Sequence, residues 1–245
     1  GTQLTQTGFN FFGGGGFQSP VNKDDASAPN LYDLTREAGY TIVGSYEEAK
    51  ANINAEKMLL VPAKDIANPT RGAGALPYAI DRQEGDLSLA QIVDIAIQRL
   101  SQKERFFMMA EGGKIDYSGH GNDPATNIHE VMDFDNAIKV AYQFYEQHPD
   151  ETLIVVTADH ETGGIALGHR YNVNWKAYED SWNENGQCND LDGADNKALN
   201  DAATIGWTTV YHTGENVPVY AIGKGAERFG GKIDNTEIKN KLLAL

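Results

Sequence analysis

The hydrophobic pattern of the chain alternates between short apolar runs and longer segments in which apolar residues recur every three or four positions. Short runs of this kind are typical of buried strands, and the longer segments are typical of helices. We predict strands over residues 8–12, 57–62, 106–110, 152–157 and 217–222, and helices over residues 30–38, 88–100, 125–145 and 235–245. Apolar strands that alternate with helices predict an α/β fold with a mostly parallel sheet sandwiched by helices.

One segment departs from this alternation. Residues 171–201 are polar, rich in Asn, Asp and Trp, and show no clear hydrophobic period. Loops of this length are uncommon and often serve as functional lids or surface insertions. We interpret the segment as a polar insertion in a single domain that spans residues 1–245.

Composition narrows the class of protein. The 245 residues are 40% hydrophobic, which is ordinary for a globular protein, and no apolar run is long enough to predict a membrane span. The net charge of −15, with no basic block, argues against a nucleic-acid partner. The single cysteine excludes an internal disulfide and a cysteine-based zinc cluster. Because the net charge is negative, an anionic substrate would need local positive charge from bound metal ions.

Three clusters of candidate ligands lie near the predicted strands. The first follows the run at 106–110, the second follows the run at 152–157, and the third precedes the run at 217–222. Their acidic and histidine side chains are Glu111, Asp116, His120, Asp159, His160 and His212. Imidazole and carboxylate groups together suit zinc. In proteins with parallel sheets, bound molecules and ions lie beyond the carboxyl ends of the strands. The combination predicts a metal site.

The spacing within the clusters supports this prediction. Asp116 and His120 are four residues apart, so one helical turn would place both on one face. Asp159 and His160 are adjacent and can converge on one ion only from a sharp turn, which the two glycines that follow would help the chain to leave. Glu111 offers a hard oxygen ligand, which is better matched to magnesium.

The sequences of the three clusters and their order along the chain resemble those of the alkaline phosphatases. The sequence reads Glu-Gly-Gly-Lys-Ile-Asp with a His four residues later, then Thr-Ala-Asp-His, and then His-Thr-Gly-Glu. The resemblance extends from the glycine run at 13–16 to the region of His212, and the insertion fits it only as a variable loop. It implies an alkaline-phosphatase-like three-layer α/β/α fold and the hydrolysis of phosphate monoesters through a phosphoserine intermediate.

The resemblance also implies cofactors, namely two zinc ions and one magnesium ion. Asp116, His120 and His212 match the ligands of the first zinc, which would activate water. Asp159 and His160 match ligands of the second zinc, which would hold the nucleophile.

The magnesium site is less complete in this sequence. Glu111 matches one of its ligands, but the family's other magnesium ligands and its phosphate-binding Arg are not found. Tyr117 stands where relatives often carry Lys or His, which leaves the identity of the third metal open. His129 lies in the predicted helix 125–145, and we interpret it as a structural residue or as a partner of the metal ligands. His148 lies at the end of this helix and precedes Pro149, and we assign it no role in the site.

The nucleophile is the main gap. In the family it is a serine in an Asp-Ser-Ala motif, and this sequence contains only Asp25-Ala26-Ser27-Ala28, in the wrong order and just before a predicted helix. We expect the nucleophile upstream of residue 1, and we expect this chain alone to be inactive. By resemblance, the full-length protein is expected to be periplasmic or secreted and to form a homodimer.

Two alternatives stay open. The first is a related hydrolase of the same superfamily, such as a phosphodiesterase, a sulfatase or a phosphoglycerate mutase. The second is a non-catalytic metal-binding module, in which the absence of the serine is genuine. The sequence does not identify the physiological substrate or the residues that bind it.

Overall fold

The computed structural model describes residues 2–25, 27–68, 74–168, 172–179 and 193–244. The chain divides into two compact units. The first comprises Gly1–Glu111 and Asp133–Val140, and the second comprises Gly112–Met132 and Ala141–Leu245. That the whole chain is one domain stays a prediction, and each unit is described separately.

The first unit is built from short strands and helices that alternate along the chain. Its helices are α1 (Leu31–Glu37), α2 (Tyr46–Ala51), α3 (Ala63–Ala67) and α4 (Leu89–Leu100), with 3-10 turns at Thr2–Gln6 and Ala79–Asp81. Its strands are β1 (Phe11–Gly13), β2 (Tyr40–Val43) and β3 (Lys57–Leu60). The sheet has the order β1-β3-β2, and both pairings are parallel.

Alternate residues of the central strand point to opposite faces of this sheet, as the strand period requires. On one face, Met58 and Leu60 pack with Ile92 and Ile95 of α4 and with α2. On the other face, Leu59 and the following Val61 pack with Tyr32 of α1 and with Tyr40. The sheet of the first unit therefore lies between two layers of helices, as the hydrophobic pattern predicts.

Helix boundaries in this unit follow from capping residues. Asn30 caps α1 by accepting a hydrogen bond from the backbone of Asp33. Ser88 and Gln91 form a capping box at the start of α4. Both residues satisfy backbone donors that the first helical turn leaves without partners. The predicted helices at 30–38 and 88–100 are confirmed.

The second unit contains more helix and shorter strands. Its helices are α5 (Lys114–His120), α6 (Pro124–Gln147, of which the middle belongs to the first unit), α7 (Gly193–Ala203) and α8 (Glu237–Leu243), with a 3-10 turn at Ala226–Phe229. Its strands are β4 (Leu153–Val156), β5 (Glu161–Thr162), β6 (Ala166–Leu167), β7 (Ile205–Gly206), β8 (His212–Thr213) and β9 (Tyr220–Gly223). They form the antiparallel pairs β4–β9, β5–β8 and β6–β7.

The predicted strand at 106–110 is wrong. Residues 105–112 adopt no regular secondary structure, and Phe107 and Met109 are 67% and 75% exposed. A strand needs a neighbour that supplies hydrogen-bond partners for its backbone. None of the strands in the described parts of the chain pairs with this run. Its apolar composition alone does not make it a strand.

The polar insertion predicted at 171–201 lies partly outside the described residues. Of its described portion, residues 175–179 are helical, and α7 begins at Gly193. Residues 193–201 of the insertion are therefore part of a regular helix and not of a loop. Among the helices of the described chain, none is both long enough and apolar enough to cross a membrane.

Candidate metal centre

Helix α5 carries the first two predicted ligands on one face. Asp116 and His120 are one turn apart, and the Oδ1 atom of Asp116 lies 3.4 Å from Nε2 of His120. The helix is short, and its N-cap residue is Gly113, which has no side chain that could cap it. Its last residue is His120, so the imidazole projects where the helix ends and the chain turns away.

Strand β8 brings the third ligand to the same place. Nε2 of His212 lies 3.7 Å from Oδ1 of Asp116. One ligand atom from each of Asp116, His120 and His212 can be chosen so that all three lie within 4.8 Å of one another. Two ligands of a tetrahedral zinc, each bonded at about 2.1 Å, lie about 3.4 Å apart. The donor set and its spacing therefore fit a zinc ion.

The second predicted pair lies beside this triad. Nε2 of His160 is 3.5 Å from Oδ2 of Asp159, which is also close to the spacing of two ligands on one ion. The His160 ring stacks on the ring of His212, with centroids 3.6 Å apart and planes at 19°. The Asp159 side chain is 83% exposed, so the outer edge of this pair is open to solvent.

Hydrogen bonds at Nδ1 of the His120 and His160 rings determine which nitrogen of each ring can bind a metal. Nδ1 of His120 lies 2.6 Å from the carbonyl oxygen of Val210. A carbonyl only accepts hydrogen bonds, so Nδ1 carries the proton of the neutral ring. This assigns the lone pair to Nε2, the atom that faces Asp116. Partners of this kind commonly orient histidine ligands of metals.

Thr162 performs the same task for His160 and was not predicted from the sequence. Its hydroxyl donates to Oδ1 of Asp116 at 2.6 Å, and Oγ1 lies 3.2 Å from Nδ1 of His160. Because the only hydroxyl hydrogen points to the carboxylate, Oγ1 accepts from Nδ1 of His160. A signal was available, since residues i and i+2 of an extended segment point to the same side.

A short strand pair holds the second and third clusters together. In the β5–β8 pair, Glu161 is opposite Thr213 and Thr162 is opposite His212. The Glu161 carboxylate accepts hydrogen bonds from the Thr213 hydroxyl and from the Gly164 backbone. These contacts fix the loop that follows His160 against the strand that carries His212.

Gly163 allows this loop to turn. Its φ is +89°, and a Cβ at this position would lie 2.6 Å from the ring of Trp207 and 2.9 Å from the carbonyl oxygen of Gly119. Only glycine adopts such a φ without strain, and the neighbouring backbone oxygen cannot move away as a flexible side chain could. The prediction that a glycine takes the chain out of the Asp159–His160 turn agrees with this geometry.

We expect Gly163→Ala to lower the free energy of unfolding by about 1–3 kcal/mol, because it combines backbone strain with a steric clash. Urea denaturation followed by circular dichroism measures this change. Gly214→Ala is the matched control, since Gly214 lies close to His212 in sequence and a Cβ there would have no atom within 4 Å. Equal stability of the two variants would contradict the role assigned to Gly163.

Known proteins are similar in sequence to this chain. The sequence profile of the alkaline phosphatase family matches residues 4–245. The chain belongs to the alkaline phosphatase family. Alkaline phosphatase 3 of Bacillus subtilis is 32% identical over an alignment of 277 positions, gaps included, that covers 94% of this chain and 57% of that relative. The resemblance noted in the sequence is confirmed.

Solved alkaline phosphatases share the fold of this chain. The cold-active alkaline phosphatase of the psychrophile Shewanella sp. has a TM-score of 0.78 at 27% identity, over 99% of this chain and 67% of that one. A variant of the TAB5 alkaline phosphatase with magnesium in its M3 site has a TM-score of 0.71 at 28% identity, over 99% and 62%. The predicted alkaline-phosphatase-like α/β fold is confirmed. The chain spans somewhat more than half the length of the Bacillus subtilis relatives, at 57% and 56%.

The metal-binding roles of all the predicted ligands stay predictions, and so do the roles of Glu111 and Tyr117. Glu111 is exposed and is the last residue of the first stretch of the first unit, so its magnesium role stays a prediction. Tyr117 is 56% exposed on α5, directly after Asp116. Burial lowers the pKa of His129 in α6, which agrees with a structural role.

Proposed function

We propose that this chain supplies most of the metal ligands of an alkaline phosphatase that hydrolyses phosphate monoesters. The observation that carries the proposal is the triad of Asp116, His120 and His212, whose ligand atoms lie within 4.8 Å of one another. Membership of the alkaline phosphatase family supports the reaction class, and the donor set supports zinc. Family membership also favours a phosphatase over the other hydrolases of the superfamily.

The proposed metal content is two zinc ions and one magnesium ion. The triad would hold the first zinc, Asp159 and His160 would contribute to the second, and Glu111 would contribute to the magnesium site. The magnesium bound to the TAB5 variant supports a metal other than zinc in the family. The incomplete set of ligands for the second and third ions is consistent with a chain that covers part of its relatives' length.

Bound divalent cations would supply Lewis acidity and positive charge to a phosphate ester. This charge matters because the chain carries a net charge of −15, which repels anionic substrates. The protein's own side chains orient the site. Nδ1 of His120 donates to the Val210 carbonyl, and Thr162 donates to Asp116 while it accepts from His160. The His120 and His160 rings therefore leave Nε2 free to bind a metal ion before the ion arrives.

We propose that the nucleophile is a serine outside this sequence, which contains no Asp-Ser-Ala motif. The full-length protein would then react through a phosphoserine intermediate, and this chain alone would bind metal and turn over little substrate. We also propose, from the family, that the full-length protein is periplasmic or secreted and forms a homodimer.

Two measurements test the proposal. Zinc titration of the isolated chain should saturate at the triad, and a chain that binds no zinc would contradict the assignment of the metal site.

Assays of the protein isolated from its native host should give faster hydrolysis of p-nitrophenyl phosphate than of the corresponding diester. A native protein of 26.7 kDa, with no upstream partner and no activity, would favour the non-catalytic module instead. Robust turnover by this chain alone would overturn the proposed location of the nucleophile.

A further inference from the structure

Helix α7, in the second half of the polar insertion, buries two asparagines on the face that also buries Leu199 and Ala203. Asn196 and Asn200 are one helical turn apart and are only 4% and 8% exposed. On the exposed side of the same helix, Lys197 pairs with Asp201 at 2.6 Å. Buried amide side chains require hydrogen-bond partners, so the partners of the two asparagines show what this helix holds.

Both asparagines hold the turn that ends the ligand-bearing helix α5. The side-chain amide of Asn196 donates to the carbonyl oxygen of Gly121, and that of Asn200 donates to the carbonyl oxygen of Asn122, each at 2.9 Å. These two acceptors directly follow His120. Asn122 has a φ of +48°, which is uncommon for a residue other than glycine and needs support from its surroundings.

Asn200 also contacts the loop that follows the second pair of ligands. Its Oδ1 accepts a hydrogen bond from Nε1 of Trp207 at 2.9 Å. The Trp207 ring lies against Gly163, at the place where a side chain would otherwise project. One side chain of α7 is therefore connected to the end of α5 on one side and to the loop after His160 on the other.

The same turn also contacts the segment that leads into β8, the strand that carries His212. In the amide orientation that satisfies its nitrogen, Asn122 donates to the carbonyl oxygens of Gly119 and Thr209, at 3.1 and 2.9 Å. Thr209 precedes Val210, whose carbonyl accepts from His120. The same turn thus joins α5 to the segment that leads into His212.

The first described part of the insertion is fastened to the end of the same helix. The backbone of Asn174 donates to the carbonyl of Ala203, and its side chain donates to the carbonyl of Ala202. Tyr178 follows, and burial together with the charge of Asp123 raises its pKa to about 12. Asp123 caps α6 just after the supported turn. Residues 172–179 therefore pack near the same end of α5 as α7 does.

We propose that Asn200, assisted by Asn196, is a positioning residue for the zinc ligands, and that the ordering of α7 is thermodynamically coupled to zinc binding at the triad. The inference rests on the proposed zinc site and gives the polar insertion a role in it. Coupling between two sites is reciprocal. A change in α7 that weakens zinc binding therefore implies that zinc stabilises α7.

The first experiment measures zinc affinity by competition with a chromophoric chelator. We expect Asn200→Ala to weaken binding about tenfold, at the low end of the loss seen when an outer partner of a metal ligand is removed. Asn200→Asp keeps an acceptor for Trp207 but places a negatively charged carboxylate oxygen, which cannot donate, against the carbonyl of Asn122, so it should weaken binding even if the alanine variant does not fold. Lys197→Ala, on the exposed side of α7, is the matched control and should bind zinc as the unchanged chain does. Unchanged affinity in a folded Asn200→Asp variant would overturn the proposal.

The second experiment measures the reciprocal effect by hydrogen exchange and mass spectrometry of the unchanged chain. At a zinc concentration of about 100 times Kd, full coupling slows exchange by about 100-fold, and we expect at least a tenfold effect on the amides of α7. Protection of both α5 and α7 supports the proposal. Protection of α5 without α7 overturns it and leaves the zinc site intact. Protection of neither helix, with no zinc bound, overturns both the inference and the proposed zinc site.

Discussion

Asp116→Ala is expected to weaken zinc binding by more than about 100-fold, because removal of a mere partner of a ligand already costs 10- to 100-fold. The Oδ1 atom of Asp116 lies 3.4 Å from Nε2 of His120 and 3.7 Å from Nε2 of His212. It also accepts the hydrogen bond from Thr162. The substitution removes the only carboxylate of the triad and leaves two imidazoles with no negative charge between them.

Calorimetric titration with zinc checks this expectation, with circular dichroism of the zinc-free variant to confirm folding. Asp135→Ala is the matched control, since Asp135 is an exposed carboxylate paired with Lys139 on α6. It should leave the affinity unchanged. If Asp116→Ala and Asp135→Ala bind zinc equally well, the triad is not the zinc site, and the proposed phosphatase function loses its main support.

The parts of the molecule that follow from local signals were predictable. Asn30 and Ser88 mark the starts of α1 and α4, because a capping side chain acts on backbone groups two or three residues away. The spacing of Asp116 and His120 likewise needs only one turn of helix, which α5 provides. The convergence of His212 with them depended on the recognised family wording, since nothing local relates residue 212 to residue 116.

The errors have non-local causes. The run at 106–110 is as apolar as a buried strand, but strand formation depends on a partner elsewhere in the chain. Strands β5 and β8 are two residues long, too short for a detectable alternation, and their pairing brings together Glu161 and Thr213, which are far apart in sequence and hydrogen-bonded to each other. The direction of the β4–β9 pair, which is antiparallel, also depends on the path of the chain between the strands.

Helix α7 shows why a hydrophobic pattern can miss a helix. The side chains that it buries include Asn196 and Asn200, whose amides bind backbone carbonyls of the 121–122 turn. Because these asparagines share the buried face with Leu199 and Ala203, the apolar stripe is interrupted, and the period that identifies an amphipathic helix is weak. The same segment was therefore interpreted as a loop, although it supports the proposed metal site.

The hydroxyl of Thr162 joins the two sets of ligands through a single atom. It donates to Asp116 of the triad at 2.6 Å and lies 3.2 Å from Nδ1 of His160 in the adjacent pair. Without it, Asp116 loses its short hydrogen bond and His160 loses the acceptor that keeps its proton on Nδ1. Either loss makes the ligand atoms less well placed before the metal arrives.

Thr162→Val keeps the shape of the side chain and removes the hydroxyl, so we expect zinc affinity to fall by about 10- to 100-fold. Thr162→Ser restores the hydroxyl and should recover most of the affinity, which separates hydrogen bonding from packing. Nitrogen-15 NMR of the zinc-free chain provides a second measurement. His160 should carry its proton on Nδ1 in the unchanged chain and in Thr162→Ser, and should show a mixture of tautomers in Thr162→Val. Equal affinity and the same tautomer in all three proteins would show that Thr162 only fills space.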